Sequence, residues 1–267
     1  MYYPWYCFSP SLSSSFTKKP SLGYTGIMTR GILIAGNEST LFSAAASEAA
    51  KRVKSFASAV IPNRFPLPGN GLAAPVKAEA PGGSISLSWN PSSPISAHTL
   101  ILAAENRLEK ISDAILVCSP PAVFKTAETL SPDDIEIIVN DHIKGWFYLI
   151  RELILYFRRI GSGTLSFVIP ELTPPGSARD TFGARKDIVN KNVQTDLLGP
   201  SAASSFRSFA QGILASSVNE PFQVMGFTGF EAGAEGEIAS WFFKMIDEGS
   251  GKYSGRWQRY SKLSFFK

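Results

Sequence analysis

The chain has 267 residues, of which 44% are hydrophobic, and this supply is enough for one large α/β domain or two small ones. Its 26 basic and 22 acidic residues are scattered, with no run of five like charges, which argues against a nucleic-acid-binding protein. No stretch of about 18 apolar residues occurs, so we expect no membrane span, and two distant cysteines, Cys7 and Cys118, fit a reducing, cytoplasmic location.

The first 29 residues lack the basic start, apolar core and small-residue cleavage site of a signal peptide. We expect a disordered N-terminal arm over 1–29. On this interpretation translation starts at either Met1 or Met28, and an aromatic arm that docks on a partner is the alternative.

From residue 30 onward, short apolar runs alternate with helical patterns. The apolar runs predict strands at 31–35, 57–61, 84–88, 114–118, 164–169, 222–227 and 257–260. Helical spacing predicts helices at about 40–56, 95–109, 132–158, 200–217 and 235–248. This alternation indicates crossover connections, and therefore an α/β fold with a doubly wound, mostly parallel sheet of about seven strands in one domain over 30–267.

Two stretches interrupt the alternation. Residues 66–83 are rich in Pro, Gly and Ala and lie where a second crossover helix is expected, which predicts a loop. Residues 171–199 form a long polar connection after the fifth strand, so we expect either a lid at the carboxyl edge of the sheet or an unpacked insertion.

An ordered series of features over residues 108–171 is more specific. It comprises an acidic residue before a strand, a Ser-Pro-Asp-Asp helix start, a Lys-Gly step, a long amphipathic helix and a Gly-Ser-Gly lead into the next strand. With the last helix and the final strand, which Gly255 introduces, this order resembles the short-chain dehydrogenases/reductases over 30–262. The resemblance implies a Rossmann-type sheet, NAD(P) at its carboxyl edge, and hydride transfer assisted by Ser, Tyr, Lys and Asn.

The positions that match the family's catalytic residues carry other side chains. The Tyr and Lys positions fall on Ser201 and Ser205, the Ser position falls on Pro170 or Glu171, and the Asn position falls near His142. In the family an ammonium lowers the pKa of a phenol that ordinarily ionises near about 10. A serine hydroxyl has a far higher pKa and no cation four residues later. We therefore expect no catalytic residues at these degenerate positions, as in a divergent member that lacks Tyr-x-x-x-Lys.

The phosphate loop departs from the family's Thr-Gly-x-x-x-Gly-x-Gly in the same way. Its four marked positions carry Ala35, Gly36, Thr40 and Phe42, so only one glycine remains. The missing glycines normally let backbone N–H groups approach the pyrophosphate and let helix and strand pack closely. We expect Phe42 to block that approach or push the helix outward, and Glu38 to place a carboxylate where phosphate would lie.

Some residues remain as weak candidates for dinucleotide binding. Arg64 lies where a family member grips the 2′-phosphate of NADP, although a solvated arginine is the alternative. Asn90 replaces the Asp that usually meets adenine, and Gly229 lies where the family has Pro-Gly. The full set of candidates is Gly36, Asn37, Ser39, Thr40, Arg64, Asn90 and Gly229.

Metal and partner sites are judged from the histidines and from two apolar helices. His98 and His142 are too few to bind a metal without carboxylates, so no metal is expected. Helices over 144–159 and 200–217 carry apolar residues, in the first case on more than one face. The resemblance implies that this pair forms a subunit interface, which predicts a homodimer or tetramer; a wholly intramolecular core is the alternative.

Three functions follow from these residues. The first is a catalytically degenerate relative of the family that serves as a binding, scaffolding or regulatory subunit, with no cofactor expected. The second is an active NAD(P)-dependent oxidoreductase whose rearranged site recruits Lys186, Lys191, Arg179 or Asp180 from the long connection. The third keeps nucleotide binding, to NAD, NADP or an adenine nucleotide, without hydride transfer.

Overall fold

The computed structural model describes residues 30–65, 83–170, 196–229, 233–249 and 251–261. These residues form one sheet of seven parallel strands in the order β3-β2-β1-β4-β5-β6-β7. The strands are β1 (Ile32–Asn37), β2 (Phe56–Ile61), β3 (Ser84–Leu87), β4 (Asp113–Val117), β5 (Thr164–Pro170), β6 (Gln223–Gly229) and β7 (Arg256–Arg259). The predicted α/β fold with a doubly wound parallel sheet is confirmed.

The helices also follow the predicted order. They are α1 (Thr40–Arg52), α2 (Pro94–Leu108), α3 (Pro132–Ile137), α4 (Gly145–Ile160), α5 (Gly199–Ser216) and α6 (Glu235–Glu248). A π-helical turn, Ile138–Lys144, joins α3 to α4, and a short 3-10 helix, Ser217–Asn219, follows α5. The helix predicted at 132–158 is therefore continuous but changes its hydrogen-bond pattern in the middle.

The central strands are apolar along their whole length because helices cover both faces of the sheet. Every residue of β1 and of β4 is buried. On one face, α2, α4 and α5 pack around Trp146, whose ring lies 5.0 Å from that of Phe206, centroid to centroid. On the other face, α1 and α6 pack around Phe227 and Phe242, with ring centroids 5.7 Å apart.

The two predicted interruptions fall largely outside the described residues, as does the arm over 1–29. The long connection is described only from Asp196, which pairs with Phe124 in an isolated antiparallel bridge. Asp196 Oδ1 accepts hydrogen bonds from the N–H groups of Leu198 and Gly199, where α5 begins. Asp196 therefore caps α5, which begins at Gly199, one residue before the predicted helix at 200–217.

No helix in the described part of the chain is long and apolar enough to cross a membrane.

Candidate functional site at the carboxyl edge of the sheet

The carboxyl ends of the parallel strands meet at one edge of the sheet, and ligands of doubly wound folds bind outside this edge. β1 lies between β2 and β4 at the centre of that edge. The end of β1 and the segments that follow β1 and β2 carry five of the seven candidate ligand residues. Their contacts decide which ligand the edge can hold.

The first turn of α1 satisfies its own polar groups. Ser39 is the N-cap, and its hydroxyl accepts a hydrogen bond of 3.1 Å from the N–H of Phe42. This N–H is one of those that a helix N-terminus can otherwise offer to a phosphate.

Phe42 lies between α1 and the sheet and is buried. Its Cδ2 atom lies 2.7 Å from the position that a Cβ on Gly36 would take, and the carbonyl oxygen of Val117 lies equally close. Gly36 therefore has to lack a side chain so that Phe42 can pack. The aromatic ring enters the helix–sheet interface, and the one remaining glycine of the loop serves that packing.

Acidic side chains lie beside the same helix end. Glu38 is exposed in the turn before α1. The hydroxyl of Thr40 donates to a carboxylate oxygen of Glu235, at the start of α6, over 3.4 Å. Two carboxylates near a helix N-terminus interact with the positive end of the helix dipole, with which a phosphate would otherwise interact.

Asn37, the last residue of β1, connects two elements at the edge. Its Oδ1 accepts a hydrogen bond of 3.1 Å from the backbone N–H of Ser119, just after β4. Its Nδ2 lies 2.8 Å from Nδ1 of His142. Because a backbone N–H can only donate, the amide oxygen has to face Ser119 and the amide nitrogen has to donate to His142.

The hydrogen bond from Asn37 fixes the tautomer of His142. An imidazole nitrogen that accepts a hydrogen bond carries no proton, so the proton of the neutral ring lies on Nε2. Burial, together with the nearby charge of Arg64, lowers the pKa of His142 to about 4. The ring is therefore neutral at pH 7 and presents an Nε2–H group.

Asp141 precedes His142 in the π-helical turn and is fully buried. The Nε atom of Arg64, a half-exposed side chain after β2, lies 3.2 Å from its Oδ2 atom. Burial raises the pKa of Asp141, and the charge of Arg64 opposes that rise. Arg64 thus forms an ion pair across the edge, although about half of its side chain is still exposed to solvent.

The sequence interpretation missed Asp141. The available signal was Asn140-Asp141-His142, three polar residues in succession within the helix predicted at 132–158. This run lies in the π-helical turn, where the N–H of Gly145 donates a hydrogen bond to the carbonyl of Asn140. Asp141 and His142 are buried there. A Cβ on Gly145 would lie 2.5 Å from Cβ of Pro91, so glycine lets the turn approach the loop before α2. π-Helical turns inside α-helices are frequent at functional sites.

Of the degenerate catalytic positions, His142 belongs to this cluster, whereas Ser201, Ser205 and Pro170 lie apart from it in their contacts. Ser201 is exposed on the first turn of α5, and its hydroxyl donates to the carbonyl of Leu197 over 3.0 Å. Ser205 is half-buried one turn further along, and Pro170 ends β5 in register with Gly229. Glu171 lies outside the described residues, as do Lys186, Lys191, Arg179 and Asp180.

The other two candidate ligand residues have local roles. The Oδ1 atom of Asn90 accepts hydrogen bonds from the N–H and the hydroxyl of Ser92, at 3.2 and 2.8 Å, in the turn before α2. A Cβ on Gly229 would lie 2.7 Å from Cβ of Tyr260, so glycine lets the chain after β7 pack there. Each residue therefore has a structural reason for its identity.

Neither histidine lies in a metal-binding cluster. Among the described residues no group of three His, Cys, Asp or Glu side chains is placed to hold a metal ion. Exposed His98 lies 2.9 Å from a carboxylate oxygen of Glu152 through Nδ1. Cys118 is a buried free thiol, and burial raises its pKa.

Comparison with known proteins gives fold neighbours alone. No family model and no curated protein matches the sequence. A short-chain dehydrogenase from Mycobacterium smegmatis superposes with a TM-score of 0.63 at 11% identity, over 88% of this chain and 93% of that one. The 3-ketoacyl-(acyl-carrier-protein) reductase from Brucella melitensis, in complex with NADH, gives 0.62 at 13% identity, over 86% and 96%. An NADH-dependent reductase, A1-R′, in complex with NAD, gives 0.60 at 12% identity, over 87% and 95%.

The chain therefore has the fold of the short-chain dehydrogenases/reductases, and the resemblance seen in the sequence is confirmed at the level of fold. The dinucleotide that two of these neighbours bind has to be tested against the residues present here. At the phosphate loop the space beside Gly36 is taken by Phe42, and Glu38 and Glu235 bring negative charge. These residues do not fit a pyrophosphate, so we derive no chemical step through a dinucleotide.

Proposed function

We propose that this protein is a catalytically degenerate relative of the short-chain dehydrogenases/reductases that acts as a binding, scaffolding or regulatory subunit. One observation carries the proposal. All seven residues that the sequence offers as candidates for dinucleotide binding make contacts within the protein. They are Gly36, Asn37, Ser39, Thr40, Arg64, Asn90 and Gly229. A cytoplasmic location belongs to the same proposal.

The replacement of the family's proton-transfer groups supports this proposal. Ser201 and Ser205 stand at the positions of the Tyr and Lys. The hydroxyl of Ser201 donates a hydrogen bond to a backbone carbonyl. A hydroxyl without an adjacent base or cation does not exchange a proton with a carbonyl substrate at neutral pH. Hydride transfer assisted in the family's manner therefore lacks its acid at these two positions.

Assembly through α4 and α5 is the second part of the proposal. The half-buried rings of Phe147 and Phe209 lie 4.2 Å apart, centroid to centroid, and join the two helices into one apolar surface. Leu155 on α4 is 44% exposed. Apolar side chains on the outer faces of two adjacent helices are typical of subunit interfaces. We propose a homodimer, or a tetramer that contains this dimer.

A matched pair of variants tests the assembly. Leu155→Glu places a charge on the proposed interface, and we expect the dimer to dissociate in analytical ultracentrifugation. Ile135→Glu on α3 is the control, since Ile135 is also 44% exposed but lies on a different helix. A monomeric wild-type protein, or equal loss of dimer in both variants, would contradict the interface.

A second candidate function is dinucleotide binding without hydride transfer. It is favoured by the neighbours that bind NADH and NAD, and by the half-exposed guanidinium of Arg64 after β2. A ligand that binds only the folded state raises stability by RT ln(1 + [L]/Kd). A melting temperature that rises with NADP but not with NAD, and that no longer rises in Arg64→Gln, would establish this function. It would replace the proposal that the protein binds no dinucleotide.

Enzymatic assays test the absence of catalysis. Purified protein is mixed with NADPH or NADH and a panel of aldehydes and ketones, and absorbance of the reduced nicotinamide is followed. We expect no turnover above the uncatalysed rate. Turnover that His142→Asn or Arg64→Gln abolishes, while Ile135→Glu leaves it unchanged, would show an active and rearranged site at this edge.

A further inference from the structure

Two adjacent buried groups in the π-helical turn lack hydrogen-bond partners. Within the part of the chain that the structure describes, Nε2 of His142 and both carboxylate oxygens of Asp141 make no hydrogen bond. Both residues are at least 99% buried, and the contact of Asp141 with Arg64 is an ion pair without hydrogen-bond alignment. A buried polar group without a partner costs about 1–3 kcal/mol, and native proteins rarely keep one without a reason.

We propose that the π-helical turn carries a binding site for a small neutral ligand, and that an oxygen of this ligand accepts a hydrogen bond from Nε2–H of His142. Asn37 is the positioning residue of the site, because its hydrogen bond to Nδ1 places the proton on Nε2. The chain of donors runs from the N–H of Ser119 through Asn37 to His142. Every hydrogen bond in that chain fixes the direction of the next.

The position of the cluster supports a ligand site. Asn37 ends β1 and Arg64 follows β2, and these neighbouring strands end at the carboxyl edge of the sheet. His142 and Asp141 reach the same edge from the π-helical turn. Ligands of doubly wound folds bind outside this edge. This site is separate from the proposed function. The hydrogen bond from Asn37 that sets the tautomer of His142 forms whether or not a dinucleotide binds.

The charges of the cluster select a neutral ligand. His142 is uncharged at pH 7, so it offers a hydrogen bond without a counter-charge for an anion. The buried carboxylate of Asp141 lies next along the chain and would repel an anion in a medium of low dielectric constant. Arg64 balances that carboxylate as its ion-pair partner and leaves no net positive charge. A hydroxyl or an amide carbonyl is therefore the ligand group that fits.

The chain has two histidines, which makes the test direct. With ¹⁵N-labelled histidine, the two rings give separate sets of NMR signals whose shifts report the tautomer. The probes are N,N-dimethylformamide, a neutral amide that only accepts hydrogen bonds, and acetate, a small anion with the same kind of acceptor atom. His98, exposed and paired with Glu152, is the internal control.

We expect the signals of His142 to show the Nε2–H tautomer and to shift saturably with N,N-dimethylformamide in the millimolar range. Acetate is expected to cause no saturable shift, and His98 is expected to respond to neither probe. A Nδ1–H tautomer, no saturable shift with the amide, or an equal response to both probes would overturn the proposal. In the last two cases solvent or a non-specific contact satisfies the ring.

Asn37→Asp provides a matched variant. An aspartate keeps an acceptor for the N–H of Ser119 but presents a second acceptor to His142, so the ring proton moves to Nδ1. We expect this variant to retain its circular dichroism spectrum and to lose the saturable response to N,N-dimethylformamide. An unchanged response in a variant whose tautomer has changed would overturn the proposal, and the wild-type titration decides the matter if the variant does not fold.

Discussion

The buried neutral His142 predicts how the stability of this protein depends on pH. Its pKa is about 4 in the folded state, against about 6.5 for an unperturbed histidine. Between these values the unfolded chain binds a proton that the folded chain does not bind. Folding is therefore progressively destabilised as pH falls from about 6.5 to about 4, and this contribution is fully present above that window.

The size of the effect follows from the shift in pKa. At about 1.4 kcal/mol per pKa unit, the fall from about 6.5 to about 4 corresponds to about 3 kcal/mol in the free energy of unfolding. Most of this loss is complete by about pH 4.5, one half unit above the folded pKa. A loss of this size is a large part of the stability of an ordinary domain.

Urea denaturation between pH 7.5 and 4.5 measures this loss in three proteins. His142→Asn removes the titrating group, and His98→Asn is the control because His98 is exposed. We expect wild type and His98→Asn to lose about 2.5 kcal/mol more than His142→Asn over this range, because the last part of the loss occurs below pH 4.5. Parallel curves for wild type and His142→Asn would refute the reasoning, because they would show that His142 titrates as in the unfolded chain.

Three other predictions concern packing, charge and catalysis. Gly36→Ala places a Cβ against Phe42 and should cost about 1–3 kcal/mol, while Gly36→Ala combined with Phe42→Ala should cost less than the sum of the single changes; additivity in denaturation experiments would contradict their contact. Asp141→Asn removes a carboxylate whose pKa is raised by burial, and water can solvate half-exposed Arg64, so the melting temperature should stay equal or rise; a fall of more than about 10 °C would show that the ion pair with Arg64 outweighs the cost of burying the carboxylate. Installing the family pair with Ser201→Tyr and Ser205→Lys should give no carbonyl reduction with NADPH, and turnover would show that a dinucleotide still binds.

The central strands β1 and β4 could be predicted from the sequence because each contains a continuous apolar run next to polar residues. β4 is the clearest example, since its apolar run is buried on both faces by helices. The helices were predictable from the helical spacing of their apolar residues. Such signals are local, and the sequence alone carries them.

The polar cluster could be predicted only in part because it depends on contacts between distant segments. Asn37 and His142 are 105 positions apart, and their hydrogen bond exists only once α4 packs on the sheet. The pairing of Arg64 with Asp141 depends on the π-helical turn, which no local pattern indicated. Phe42 was correctly singled out, but its inward direction depends on the space left by Gly36.

The most direct test of the central claim is calorimetric titration of the wild-type protein with NADPH. The contacts of the retained loop residues predict no heat of binding up to millimolar nucleotide at pH 7. A saturating isotherm with a micromolar Kd would contradict the account, because it would require Phe42 and Glu38 to leave the arrangement on which the proposal depends.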